Sequence, residues 1–123
     1  MKGIAVVIKK GIEYLVIQQS KKPYKGYWGL VHGTIESGEN EETTVKREVS
    51  EEVGIEVKII KKLATSYVDN IETGWWLTEY ESGKIKPDIS EISKCEYFTL
   101  NQIFNLKLFP PTKEFLQKHK NFL

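Results

Sequence analysis

The chain has 123 residues, 40% of them hydrophobic, and a formal net charge of +1. That is ordinary globular make-up of a size for one unit, so residues 1–123 are read as a single domain. The near-neutral balance excludes global attraction to a nucleic-acid backbone or an anionic membrane, and the lone cysteine, Cys95, excludes an intrachain disulfide or a cysteine metal site and is read as structural. No apolar run approaches the length of a membrane span, and the start shows no signal-peptide pattern, so a cytoplasmic location is the expectation.

Residues 3–8, GIAVVI, are apolar and β-branched and read as a strand. Gly11 centres a turn over 9–12, and residues 13–19, EYLVIQQ, read as the hairpin partner. A basic loop follows at 20–29, SKKPYKGYWG, punctuated by Pro23, Gly26 and Gly29. Lys21, Lys22 and Lys25 are its candidates for substrate charge, with Lys25 carried forward as a substrate-binding residue. Tyr24, Tyr27 and Trp28 interleave with them, a mixture that suits phosphates and a stacked base. Trp28 is instead read as packing under the sheet. Leu30 and Val31 form a short strand. His32 comes next, placed either to hydrogen-bond a phosphate or leaving group or to hold the loop by a backbone contact.

Residues 33–55, GTIESGENEETTVKREVSEEVGI, organise the chain. Gly33 and Gly38 permit backbone angles that other residues resist. Asn40 suits an N-cap, Glu41 and Glu42 suit the first turn, and the predicted helix runs to about Val53 with Gly54 as its stop. At helical spacing Val45, Val49 and Val53 make one apolar stripe, and Glu48, Glu51 and Glu52 make the arc beside it. Like charges at i,i+4, such as Glu48 and Glu52, oppose each other, and in a cleft they raise one another's pKa unless a cation offsets them. Mg²⁺ is a natural partner, being hard, oxygen-seeking and commonly bound beside phosphates. Arg47, the only arginine, precedes Glu51 by four residues, and its planar fork suits carboxylates better than lysine does.

This stretch resembles the signature of the Nudix hydrolases. Gly33, Glu39, Arg47, Glu48, Val49, Glu51, Glu52, Gly54 and Ile55 fill every specified position of it. The resemblance implies an α/β fold, an α/β/α sandwich with a mixed β-sheet. It also implies hydrolysis of a nucleoside diphosphate linked to another moiety, using Mg²⁺ or Mn²⁺, and the small size of the chain favours a compact substrate such as a nucleoside triphosphate. It assigns Glu48, Glu51 and Glu52, with Gly33, to the metal. It makes Arg47 and Glu39 the brace between loop and helix, counts Arg47 and Glu48 among the catalytic residues, and gives Gly38 and Gly54 structural roles. Many members carry Pro-Gly-Gly where this chain has Val31-His32-Gly33, a departure that bears on the loop and not on the acids.

Residues 55–65 read as a strand with its lysines on the wet side, and Asp69-Asn70 as a turn. Residues 73–80, TGWWLTEY, read as the next strand. Alternation sends one of Trp75 and Trp76 inward and the other outward or toward the cleft, where it becomes a candidate for base stacking. A loop at 82–88 leads to residues 88–98, which end in a short strand. Glu91 is the candidate further acid there, joining the metal site or activating water as in several family members, with Asp88 and Glu96 as rivals. Thr99 reads as the cap of a short helix through Phe104. Pro110 and Pro111 open a last helix, with Phe115, Leu116, His119 and Phe122 on its inner side. The expected partner is a small nucleotide. Capped RNA belongs to the open substrate set, no stable nucleic-acid complex or membrane contact is expected, and a homodimer is compatible. The competing expectation is a catalytically inactive nucleotide-binding module of the same fold.

Overall fold

The computed structural model describes residues 1–123. Its strands are β1 (Lys2–Lys10), β2 (Glu13–Gln19), β3 (Trp28–Gly29), β4 (Val31–Thr34), β5 (Glu56–Val68), β6 (Ile71–Ser82) and β7 (Ile92–Thr99). The helices are α1 (Glu41–Val53), α2 (Leu100–Ile103) and α3 (Pro110–His119). All seven strands join one mixed sheet. β1 lies at its centre and runs parallel to β6 from Lys2–Glu72 to Lys9–Glu79. Its other edge is shared, with Gly3–Val6 pairing with β4 and Lys9–Lys10 with β2. Between those pairings β1 and β2 part, because β2 turns to pair with β7 and β3. β5 closes the far side against β6, and their hairpin turns at Asp69-Asn70. Both turn residues have positive φ, 49° and 67°, as a type I′ turn requires.

The strand alternation of β1 divides the interior in two. Ile4, Val6 and Ile8 face α1 and pack with Val45, Val49 and Val53, and Ala5 and Val7 face Phe115 and Leu116 of α3. Each fully buried valine of the α1 stripe contributes roughly 1.5–3 kcal/mol by leaving water. The sheet is thus covered on both faces, as the sandwich expectation has it. Asn40 caps α1 by accepting the Thr43 N–H at 2.8 Å, and Gly54 ends it at φ 75° with its N–H donated to the Ser50 carbonyl. Thr99 caps α2 in a capping box with Gln102.

Three expectations need correction here. Neither tryptophan of β6 faces outward, since Trp75 is 3% and Trp76 8% exposed. Alternation does part them, but α1 covers one face and α3 the other, so Trp76 enters the first core and Trp75 the second. Phe122 is 61% exposed, in a short 3₁₀ turn beyond α3, and so does not join the inner face of that helix. β5 also runs three residues past its expected end, to Val68, because its whole inner edge pairs with β6.

Candidate active site

The site is built on α1 and on the loop that enters it. Gly38, at φ 83°, turns the loop so that Glu39 lies under the first helical turn. Glu39 accepts from Arg47 Nε at 2.7 Å and Nη2 at 3.0 Å, from the Glu36 N–H at 3.0 Å and from Thr44 Oγ1 at 3.0 Å. The Arg47 hydrogen bonds come first among the causes that lower its pKa to about 2. Arg47 also donates through Nη2 to the Thr34 carbonyl at 3.1 Å, and through Nη1 to Glu48 at 2.8 Å and Glu51 at 3.2 Å. One guanidinium therefore ties the end of β4, the loop and the acidic face of α1 together. Its partners, Glu39 first, hold its pKa above the ordinary value.

The far end of the acidic face is not closed in this way. Glu52 Oε2 is buried and has no hydrogen-bond partner. Burial, and then the neighbouring Glu48, Glu91 and Glu51, push the Glu52 carboxyl up to about 9. Glu48 lies within hydrogen-bonding reach, so the two carboxyls bond only when they share a proton. Glu51 is the solvent end of the group, its side chain 59% exposed against 15% for Glu48. Gly33 contributes space rather than special backbone freedom. It pairs with Ile4 in the β4 ladder without a positive φ, and a Cβ there would come within 2.2 Å of Glu48 Cδ.

Glu91 sits at the entry to β7, where Lys21 Nζ approaches its Oε1 at 3.2 Å and its charge acts on Glu52. Its rivals are engaged elsewhere. Asp88 accepts from the Ser90 hydroxyl at 2.6 Å, and Glu96 lies on an exposed position opposite Val16. His32 does not sit in a loop as expected but in β4, opposite Ala5; its Nδ1 lies 3.2 Å from the Leu30 carbonyl just before the strand, and its ring also lines the space beyond β4. That space is two adjoining cavities of about 160 and about 350 Å³. Lys21 and Lys22 line the larger, whereas Lys25, the substrate-binding candidate of the sequence, is exposed and lines neither. Trp75 reaches the smaller cavity only as a wall. Its ring stacks on Phe115 at 4.0 Å and its Nε1 donates to Ser66 at 2.8 Å. Trp76 Nε1 donates to Glu41 at 3.0 Å. Burial alone would raise the Glu41 carboxyl, but the bonds from Lys62 and Trp76 bring it below its ordinary value. The aromatic that reaches both cavities is Phe109, which sequence reading passed over. Its only signal was its place immediately before Pro110. Cys95 is half-buried, its thiol pushed up to about 12 by burial, and its character is structural.

A family model, that of the NUDIX domain, matches residues 2–119. The chain belongs to the NUDIX family. It is 32% identical over 120 residues to the NAD-capped RNA hydrolase NudC of Haemophilus influenzae, covering 94% of this chain and 45% of that protein. To NudC of Photobacterium profundum it is 37% identical over 93 residues, covering 73% of this chain and 34% of that protein. The chain thus spans less than half the length of these relatives. Among solved structures it resembles a NUDIX hydrolase from Nitrosomonas europaea, with a TM-score of 0.85 at 21% identity over 95% of this chain and 68% of that one. An Ap4A hydrolase of C. elegans gives a TM-score of 0.78 at 21% identity, covering 98% and 97% of the two chains. At such identities the likeness to the solved structures concerns the fold. No helix of this NUDIX chain is long and apolar enough to cross a membrane.

Proposed function

We propose that this NUDIX chain is a divalent-metal-dependent hydrolase of the pyrophosphate linkage in a nucleoside diphosphate joined to another moiety, nucleoside triphosphates included. The observation that carries the reading is Glu52, a half-buried residue whose carboxylate has one buried, unpartnered oxygen, beside Glu48, Glu51 and Glu91. Arg47 meets Glu48 and Glu51 and Lys21 meets Glu91, but no cation meets Glu52, and a hard divalent ion would supply that charge with oxygen ligands alone. The donor set fits Mg²⁺ or Mn²⁺, with Glu48, Glu51 and Glu52 as holders and the Gly33 backbone beside them. When bound, the ion would neutralise phosphoryl oxygens and lower the pKa of attacking water.

The chain's own residues do the rest. Arg47 fixes the loop against α1, so that Glu48 and Glu51 keep their places while a substrate enters. Lys21 and Lys22 offer point charges to phosphate oxygens on the cavity wall. Glu91, or Glu48, takes the proton from the attacking water, since both adjoin Glu52. His32, held at Nδ1, presents its other ring nitrogen to the groove for a phosphate or leaving group. The names of the NudC relatives bring NAD and capped RNA into the substrate panel beside triphosphates, dinucleoside polyphosphates and ADP-ribose.

One observation favours the binding-module reading. Arg47 already takes Glu48 and Glu51, and no three metal-ligating side chains stand grouped around one point. A single experiment separates the two. Phosphate or monophosphate release from the panel is followed in Mg²⁺, Mn²⁺ and EDTA, with the melting temperature recorded in each. Turnover in metal and none in EDTA is the expected result. Nucleotide binding with no turnover under any metal would establish the module instead.

A further inference from the structure

The two cavities beyond β4 are one groove with unlike ends. Leu30, His32, Asp69, Phe109 and Thr112 line both. The larger compartment, about 350 Å³, carries Lys21 and Lys22. The smaller, about 160 Å³, has hydrophobic residues for 7 of its 14 lining positions, carries no lysine or arginine, and has Asp69 as its only carboxylate. Asp69 enters none of the chain's ion pairs. Its backbone is fixed by the I′ turn at φ 49°, and the residue stands exposed at the hairpin end, at the mouth of both compartments.

We propose that Asp69 selects the base. The smaller compartment takes the ring, and the Asp69 carboxylate accepts two N–H bonds from the ring's polar edge. This rests on the hydrolase reading and narrows it to a substrate class. An ionised carboxylate accepts and cannot donate, so it needs two adjacent donors. Guanine supplies them with N1–H and its 2-amino group. Adenine and cytosine place a ring-nitrogen acceptor beside the amino group, and uracil flanks its one N–H with carbonyls. Each of these sets a lone pair against the carboxylate, so on docking it must exchange its water for a repulsive acceptor rather than for two donors. The favoured substrates are guanine nucleotides, with the phosphates running toward Lys21 and Lys22.

The test is calorimetric titration of the chain in Mg²⁺ with GMP, IMP and AMP, for wild type and Asp69→Asn. Asparagine tolerates positive φ, so the turn is retained, and a thermal melt verifies this. IMP keeps N1–H and lacks the 2-amino group. Wild type should bind GMP about tenfold more tightly than IMP, and AMP least well. Asp69→Asn should weaken GMP by about 10- to 100-fold, as loss of bonds to a charged acceptor does, and AMP by less than about threefold. Equal wild-type affinity for all three overturns the proposal, and that ranking decides the matter if the variant melts early. Equal weakening of all three by Asp69→Asn also overturns it, because the acid would then serve the sugar. The matching triphosphates are assayed for hydrolysis alongside. Turnover without base preference removes the Asp69 assignment and leaves the hydrolase. Asp69-dependent GMP binding without any turnover keeps the base assignment and removes the hydrolase.

Discussion

Glu39 and Glu52 are the same residue at the two ends of one acidic tract, and their surroundings drive them in opposite directions. Glu39 meets Arg47, the Glu36 N–H and Thr44, and its pKa falls to about 2. Glu52 meets other carboxylates and burial, and its pKa rises to about 9. The loop end is electrostatically finished, because every oxygen of Glu39 has a donor. The helix end is not, because Glu52 Oε2 has none. A charge already matched by the fold is structural. A carboxylate the fold gathers among others and leaves unmatched is where the proposed function puts an external cation.

The largest effect that would break this contrast is at the unmatched end. Glu52→Gln removes one charge from the cluster and should lower turnover in saturating Mg²⁺ by about 100-fold, some 2.7 kcal/mol of transition-state stabilisation. It should also abolish the rise in melting temperature that Mg²⁺ gives the wild type. Turnover within about threefold of wild type across a metal titration would take Glu52 out of the metal site. At the matched end, Arg47→Lys keeps the charge and loses the fork. One ammonium cannot serve Glu39, Thr34 and Glu48 in the same geometry. A melting temperature several degrees lower and turnover reduced by about tenfold are expected, since the brace acts on the acids only through their position. An unchanged melt with unchanged turnover would show the five-point contact to be idle.

Much of this contrast was legible in the sequence. The caps at Asn40 and Gly54 and the valine stripe rest on interactions within a couple of turns of one segment, and local pattern carries them, whereas the Arg47–Glu39 brace came only with the resemblance to the Nudix signature. The orphaned state of Glu52 was foreshadowed by its i,i+4 relation to Glu48, but its burial and the approach of Glu91 depend on where β7 begins. Trp75 and Trp76 show the limit from the other side. Period-two alternation correctly parted them, yet it cannot tell a sheet with one wet face from a sheet covered by helices on both. Lys25 and Phe109 show it again, because which side chains reach a groove is set by the meeting of segments some 80 residues apart in the chain. Asp69 was read as a turn, which it is, and nothing in a turn's sequence says what the turn overhangs.

The smallest effect sharpens the contrast most directly, because it needs neither substrate nor metal. An unfolded glutamate titrates near ~4.3, and Glu52 in the folded chain titrates at about 9. Between those values the folded state holds a proton that the unfolded state has released. The state that binds more protons loses ground as pH rises, so metal-free stability should fall across this window. The contribution is whole below the unfolded value and gone above about 9, with a slope of at most about 1.4 kcal/mol per pH unit for one proton. Glu39 adds no slope there. Its folded pKa of about 2 lies below the unfolded value, so its contribution is complete at neutral pH and is lost only as pH falls toward 2. Melting curves in EDTA at about pH 6, 7, 8 and 9 should therefore show a declining midpoint for wild type and a flatter line for Glu52→Gln. Saturating Mg²⁺ should flatten the wild type too, because a bound cation favours the ionised acid and removes the folded state's hold on the proton. A wild-type midpoint constant in EDTA, or an equal decline in the Gln variant, would place the shared proton away from Glu52 and dissolve the difference between the two ends of the helix.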